Sequence, residues 1–143
     1  MTLSRLTEGR GVLALRIDGV SSTDAGGQGS ILNPEGVDVL ILRATLVVHT
    51  ASTGAANIDI GVASAAATDA TDIVNALAMN GVDAQTAYNG FAMQNTAKTE
   101  IAAPALWEDD YYVTVTGSAS LVGLEATLYL EYIRVDEPAS DEY

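Results

Sequence analysis

The 143-residue chain contains no cysteine and a single histidine, His49, which excludes a disulfide framework and a Cys/His zinc site. It carries 19 acidic against 6 basic residues, for a net charge of -13. Because nucleic acids and anionic membranes attract clustered Lys and Arg, and the basic residues here are scattered singly, we expect neither as a partner. The length is typical of one compact domain.

Apolar residues alternate with period two in several short stretches, and turn-forming residues separate these stretches, which is typical of antiparallel strands. The pattern predicts strands over residues 12–20, 39–50, 58–62, 111–116 and 125–135. Strict alternation places Leu40, Leu42, Leu46 and Val48 on one face of the second strand. Its other face is also largely apolar, so we expect this strand to be central, or covered by a second layer or another subunit.

The segments between the predicted strands are less regular. Residues 21–30 are polar and Gly-rich, which indicates a flexible stretch or a contact arm, and residues 51–57 indicate a hairpin loop. Asp72 is placed to cap a short helix over residues 73–78, although the β-branched Ile73 and Val74 are equally suited to a strand. Residues 84–104 have little pattern and indicate a long excursion.

The absence of βαβ alternation and the long connections predict an all-β fold, an antiparallel two-sheet β-sandwich of jelly-roll or Greek-key type with at most one short helix. We expect an N-terminal arm over residues 1–11, the sandwich over residues 12–135 and an acidic tail over residues 136–143.

No motif for catalysis is present in the sequence. Nucleophilic serine or threonine chemistry needs a base, and His49 lies in an apolar strand where a packing or interface role is far more common. Neither a Gly-x-Ser-x-Gly elbow nor a phosphate-binding Gly-x-x-x-x-Gly-Lys loop occurs. We therefore expect no enzymatic activity and assign no catalytic, cofactor-binding or metal-binding residue.

Two clusters of acidic residues leave alternatives open. Glu108, Asp109 and Asp110 follow Trp107, an arrangement similar to a sugar-binding subsite, but at a strand entrance they are more typical of a solvated edge that prevents unwanted strand pairing. Oxygen ligands for Ca²⁺ are the other use for acids, from Asp69, Asp72 and Asp83 with the same cluster, although the spacing does not match an EF-hand.

Residues 39–44, 53–63 and 72–77, followed by 112–120 and 128–133, resemble small accessory virion proteins of tailed phages or tailed archaeal viruses. The resemblance covers residues 39–133 and consists of strand-and-turn patterns. It implies a capsid decoration or cement protein with a β-sandwich fold, trimeric by preference, that binds the viral major capsid protein. Such a protein resides on the capsid surface of the virion, and in the host cytoplasm during assembly. The acidity has two interpretations: it keeps a hydrophobic protein soluble, which is the more common case, or it reflects a salt-rich setting with a marine or halophilic host.

The candidate contact residues follow from this picture. The N-terminal arm holds two arginines and little acid, so we expect Leu3, Arg5, Leu6 and Arg10 to contact the capsid. A subunit interface is expected at Val47, His49 and Tyr129. The alternatives are a carbohydrate- or cell-surface-binding module with Trp107 in its site, and a tail-associated structural protein.

Overall fold

The computed structural model describes residues 10–18, 26–80, 86–89 and 105–135. These residues form nine strands: β1 (Arg10–Asp18), β2 (Gly26–Leu32), β3 (Val39–Thr50), β4 (Asn57–Ala63), β5 (Val74–Ala78), β6 (Thr86–Asn89), β7 (Ala105–Trp107), β8 (Tyr112–Gly117) and β9 (Glu125–Arg134). In the described ranges no helical segment has the length and hydropathy that a bilayer crossing would require.

The strands form two antiparallel sheets. Sheet I has five strands in the order β1-β9-β3-β6, with β7 pairing with β3 beyond the end of β6, and sheet II has the order β2-β8-β4-β5. The pairs are nested: β1 with β9, β2 with β8, β3 with β6 and β7, and β4 with β5. Such nested pairs form one long antiparallel hairpin. When this hairpin is rolled up, β9 also pairs with β3, and β8 with β4, which gives the strand order of a jelly roll. The predicted two-sheet sandwich is confirmed.

The core between the sheets is built mainly from aliphatic side chains, together with the aromatic side chains of Trp107 and Tyr132. Burying each such side chain contributes roughly 1.5–3 kcal/mol, which is how a chain without cysteine stabilises a fold of this size. Its largest fully buried members are Ile41, Leu46, Ile58, Ile60, Ile73, Leu77, Met79, Trp107, Leu121, Leu124 and Leu128.

Strand β3 has the predicted bounds but not the predicted alternation. The pairing with β9 shifts between Ile41 and Arg43, which is a β-bulge. Ile41 and Ala44 are buried while Leu42 and Arg43 are both exposed. Before the bulge the odd-numbered residues face the core and after it the even-numbered ones do, so the prediction that Leu40 and Leu42 share a face with Leu46 and Val48 was wrong.

Of the two alternatives for the segment after Asp72, the strand is the one observed, because this segment contributes β5 to the edge of sheet II. Val74 pairs with Ile60, and the amide of Ile73 donates to the carbonyl of Ile60 at 2.9 Å. Asp72 caps no helix and instead accepts a hydrogen bond from the amide of Val62 at 3.0 Å. The β-branched residues and the burial available against sheet I decided between the two alternatives.

Two predicted loops differ from expectation. Of the Gly-rich residues 21–30, those from Gly26 onward form β2 and pair with β8, so they are neither a loop nor an arm, whereas residues 21–25 lie outside the described ranges. Residues 51–56 do join β3 to β4, but these strands belong to different sheets, so the connection crosses the sandwich and is not a hairpin.

The connection between β4 and β5, residues 64–73, packs on the outer side of sheet II. A Cβ atom placed on Gly61 would lie 2.6 Å from the backbone of Ala70, so only glycine allows this close approach. The hydroxyl of Thr114 donates to the carbonyl of Thr68 at 2.7 Å, and that of Thr116 donates to Asp69 at 2.9 Å. Strand β8 is therefore buried on both faces.

Candidate contact surface

One face of the sandwich, the outer side of sheet I, concentrates exposed apolar side chains. Val12 on β1 is 65% exposed, Leu42 on β3 41%, Leu106 on β7 48% and Tyr129 on β9 40%. Among the described residues the other large apolar side chains of this kind are Val135, directly after β9, and Leu32 on sheet II. We call this surface the outer face of sheet I; it comprises Val12, Ala14, Arg16, Asp18, Leu40, Leu42, Arg43, Thr45, Val47, His49, Leu106, Glu125, Thr127, Tyr129, Glu131 and Ile133.

The same face carries charges of both signs. Arg16 lies 3.7 Å from Asp18 and 3.8 Å from Glu125, and Arg43 lies 3.6 Å from Glu131. These pairs are exposed, so each contributes little to stability. Their effect is that positive and negative groups nearly balance here, in a chain whose net charge is -13.

The rest of the described surface is acidic. The basic side chain described in this part of the surface is that of Arg134, at the end of β9. The carboxylates outside sheet I are Glu35, Asp38, Asp59, Asp69, Asp72, Glu108, Asp109 and Asp110. The charge of the described residues is thus segregated, with a near-neutral apolar face on an otherwise anionic body.

The structure brings together the three residues predicted at a subunit interface. Val47 and Thr127 are paired across β3 and β9, and the Nε2 atom of His49 lies 2.9 Å from the hydroxyl of Thr127. Tyr129 follows two residues along β9. All three predicted residues lie on the outer face of sheet I, and His49 is held by a threonine rather than by a group that could make it a catalytic base.

The predicted capsid-contact residues are placed only in part. Leu3, Arg5 and Leu6 lie outside the described residues, whereas Arg10 begins β1 and pairs with Ile133 of β9. Two residues assigned to the N-terminal arm, Arg10 and Gly11, are therefore part of sheet I.

Comparison with known proteins adds no relative: no protein-family model and no curated protein matches the chain.

Trp107 cannot form the sugar-stacking surface considered above, because its side chain is fully buried. Its indole N–H donates to the backbone carbonyl of Tyr111 at 2.9 Å. The neighbouring acids form the exposed turn between β7 and β8, and the amide of Asp109 is held by the carboxylate of Asp38 at 2.9 Å. The tryptophan and the acids therefore do not share a binding surface.

The acids near β4 hold protein groups in place. Asp59 accepts a hydrogen bond from the amide of Ala76 at 2.6 Å, where the backbone takes a positive φ of 49°. Burial raises the pKa of Asp59, and repulsion from Asp69 adds to the effect. In the described part of the chain no group of three or more His, Cys, Asp or Glu is arranged to hold a metal ion, and Asp83 of the calcium hypothesis lies outside it.

A cavity of about 290 Å³ opens between β1 and β2, where the two sheets separate. Its described lining is largely aliphatic, with Leu15, Ile17 and Leu128 among its members, and it also includes polar and charged residues. Asp18 is the one carboxyl group in this described lining, and it forms an ion pair with Arg16.

Sequence reasoning missed Val12, Leu42 and Leu106 as parts of one surface. The bulge in β3 exposes Leu42, and a bulge has no signature in an apolar run such as residues 39–42. Leu106 belongs to a three-residue strand too short to show alternation. The available signal was the two-sided apolar character of β3, which did predict an additional covering layer.

Proposed function

We propose that this protein is a non-enzymatic structural component of a virus particle, which decorates the capsid as a homo-oligomer bound to the major capsid protein. The observation that carries the proposal is the outer face of sheet I, an exposed apolar and charge-balanced surface on an acidic molecule. Large exposed apolar patches on soluble domains mark interaction sites. The resemblance of residues 39–133 to accessory virion proteins supports the viral setting.

The fold suits a protein that binds by contact alone. The loops at one end of the sandwich are joined to each other by backbone hydrogen bonds: Ser52 to Met79 at 2.9 Å, and Thr53 to Val122 at 3.0 Å. A rigid body loses little conformational entropy on docking. Copies joined in a symmetric oligomer would each contribute a weak contact to the shell and so gain avidity.

Co-sedimentation tests the capsid role directly. Purified protein is mixed with capsids assembled from the major capsid protein encoded by the same genome, and the pellet is assayed for both proteins. We expect saturable binding at symmetry-related positions, visible as added density by electron microscopy. Absence of the protein from the pellet at every concentration and salt condition would refute the role. Density on the tail instead would assign the protein to the tail-associated class.

A pair of truncations tests the N-terminal arm. Since Arg10 and Gly11 belong to β1, the deletion covers residues 1–9 only and leaves sheet I intact. We expect it to abolish co-sedimentation with capsids while the circular dichroism spectrum is unchanged. Deletion of residues 136–143, a segment of similar length, is the control and should preserve binding. Equal binding by both truncated proteins would show that the arm is not the capsid contact.

A further inference from the structure

We infer that the outer face of sheet I is the surface at which copies of this chain pack against each other. The inference rests on the proposed oligomeric role and names the surface that role uses. Its occupant is a second copy of the same chain, and two observations lead to that choice: the balance of charge and the exposed apolar side chains.

Charge restricts where two copies can meet. Each chain has a net charge of -13, so copies repel one another at long range, and the repulsion is strongest where carboxylates lack basic neighbours. On the outer face of sheet I, Arg16 and Arg43 accompany Asp18, Glu125 and Glu131. A second copy presents the same set in return, so each arginine can face a carboxylate of the other copy.

The same balance disfavours other partners at this face. A strongly basic protein would be drawn instead to the carboxylates outside sheet I. A strongly acidic protein would be repelled by the whole molecule. A surface with both signs of charge is best matched by one with the same composition, and a copy of the chain supplies it.

The apolar side chains supply the attraction. Leu40 pairs with Ile133 on one side and with Leu106 on the other, so these three form a row across the sheet. Leu42 and Tyr129 lie further along the same face and are both exposed. Aromatic and aliphatic side chains at the centre of a contact, surrounded by polar ones, are the usual anatomy of a protein interface.

Sedimentation of single variants tests the inference. The wild-type protein should sediment as an oligomer, with a mass of at least twice the 14.8 kDa of one chain. Leu42→Asp and Tyr129→Asp should each raise the dissociation constant at least ~30-fold and shift the protein toward the monomer mass. Leu32→Asp is the matched control, because Leu32 is 48% exposed but lies on sheet II, and it should retain the wild-type mass. Circular dichroism verifies that each variant is folded.

Two results would overturn the inference. One is a wild-type protein that stays monomeric at all concentrations, as expected if residues 90–104 of the same chain cover the face or if nothing does. The other is an oligomer whose mass is unchanged in both Leu42→Asp and Tyr129→Asp. Neither result affects the capsid role, which co-sedimentation tests separately, and a monomer that binds capsids would keep the function while removing this interface.

Salt and chemical labelling provide independent readouts. Self-association of anionic copies should strengthen from 50 to 500 mM NaCl because salt screens their repulsion, and weakening over this range would contradict the inference. As the chain has no cysteine, a single cysteine at position 129 or 32 can be labelled with a maleimide. We expect Tyr129→Cys to react at least tenfold more slowly than Leu32→Cys in the oligomer, and equal rates would contradict the assignment.

Discussion

The side-chain amide of Asn33 donates a hydrogen bond of 3.0 Å to the backbone carbonyl of Trp107, and so ties the β2–β3 connection to β7. The same nitrogen lies 2.9 Å from the carbonyl of Val37 and 3.2 Å from that of Glu108. Its oxygen accepts a hydrogen bond from the amide of Glu35 at 2.9 Å. Asn33 is buried, and this one side chain satisfies the buried carbonyl of Trp107 together with three partly buried backbone groups.

Replacing Asn33 by Ala should therefore destabilise the fold by about 3 kcal/mol, because buried carbonyls lose their donor. Urea unfolding followed by the fluorescence of the single tryptophan measures the change. Asn80→Ala is the control, since Asn80 is exposed, and it should change the free energy of unfolding by about 0.5 kcal/mol or less. Identical midpoints for the two variants would mean that Asn33 does not hold this end of the sandwich.

Trp107→Ala should cost about 3–5 kcal/mol, because the side chain is fully buried in the core. Thermal unfolding followed by circular dichroism measures the loss, and Leu32→Ala, at an exposed position, should be nearly neutral. A variant at Trp107 that keeps its stability but loses binding to a glycan would instead restore the sugar-binding alternative.

Ionisation of Asp59 should lower the free energy of unfolding as the pH rises above about 4. Burial, with a smaller contribution from Asp69, raises the pKa of Asp59 in the folded state. The unfolded chain, with an Asp pKa of about 3.9, releases the proton earlier, so the folded state is disfavoured as pH increases through the raised value. Asp59→Asn keeps an acceptor for the Ala76 amide but carries no charge. The variant should melt higher than wild type at pH 7 and equally at pH 3.

The matched control for Asp59 is Asp110→Asn, which removes the same charge from an exposed turn. It separates the local effect from the general benefit of lowering the net charge. If Asp110→Asn raises the melting temperature as much as Asp59→Asn does at pH 7, the environment of Asp59 is not the cause.

Tyr132 should stabilise the fold up to about pH 10 and lose that contribution above it. Its hydroxyl donates to the carboxylate of Glu35, and burial followed by this contact raises the pKa of Tyr132 to about 12. Because tyrosine in the unfolded chain ionises near pH 10, the wild-type protein loses stability between about pH 10 and 12. Tyr132→Phe should cost about 1 kcal/mol at pH 7 in urea unfolding, and the difference should shrink at pH 11.

Tyr129→Phe is the corresponding control, because Tyr129 is exposed on the outer face of sheet I. Its free energy of unfolding should differ little from that of wild type at pH 7, and the deciding comparison is that of Tyr132→Phe with wild type from pH 7 to pH 11. A constant difference for Tyr132→Phe across this range would contradict the assignment.

The sequence predicted the strands that have one polar face. It did not predict the strands whose formation depends on tertiary packing. Alternation located β1, β4, β8 and β9 to within two residues, because one face of each contacts the core. Strand β2 was missed because glycine and serine give no alternation, and it becomes a strand only by pairing with β8. Strand β5 was left open between a helix and a strand because residues 73–78 fit both periods over so short a length.

The candidate surface was predicted less completely than the fold. Val47, His49 and Tyr129 were placed together by their strands, but the exposure of Leu42 depends on a bulge that only the register with β9 reveals. The burial of Trp107 depends on the position of β7 against β3, which no local pattern encodes.

The position of β9 between β1 and β3 has a consequence for synthesis on the ribosome. Strand β3 emerges with an unpaired, largely apolar edge, and its neighbour β9 becomes available only after about 75 further residues. Such long-range pairing folds slowly and leaves nascent chains prone to aggregation. The abundant carboxylates would then have their first effect during synthesis. Their mutual repulsion would keep incomplete chains from aggregating until β9 pairs with β3.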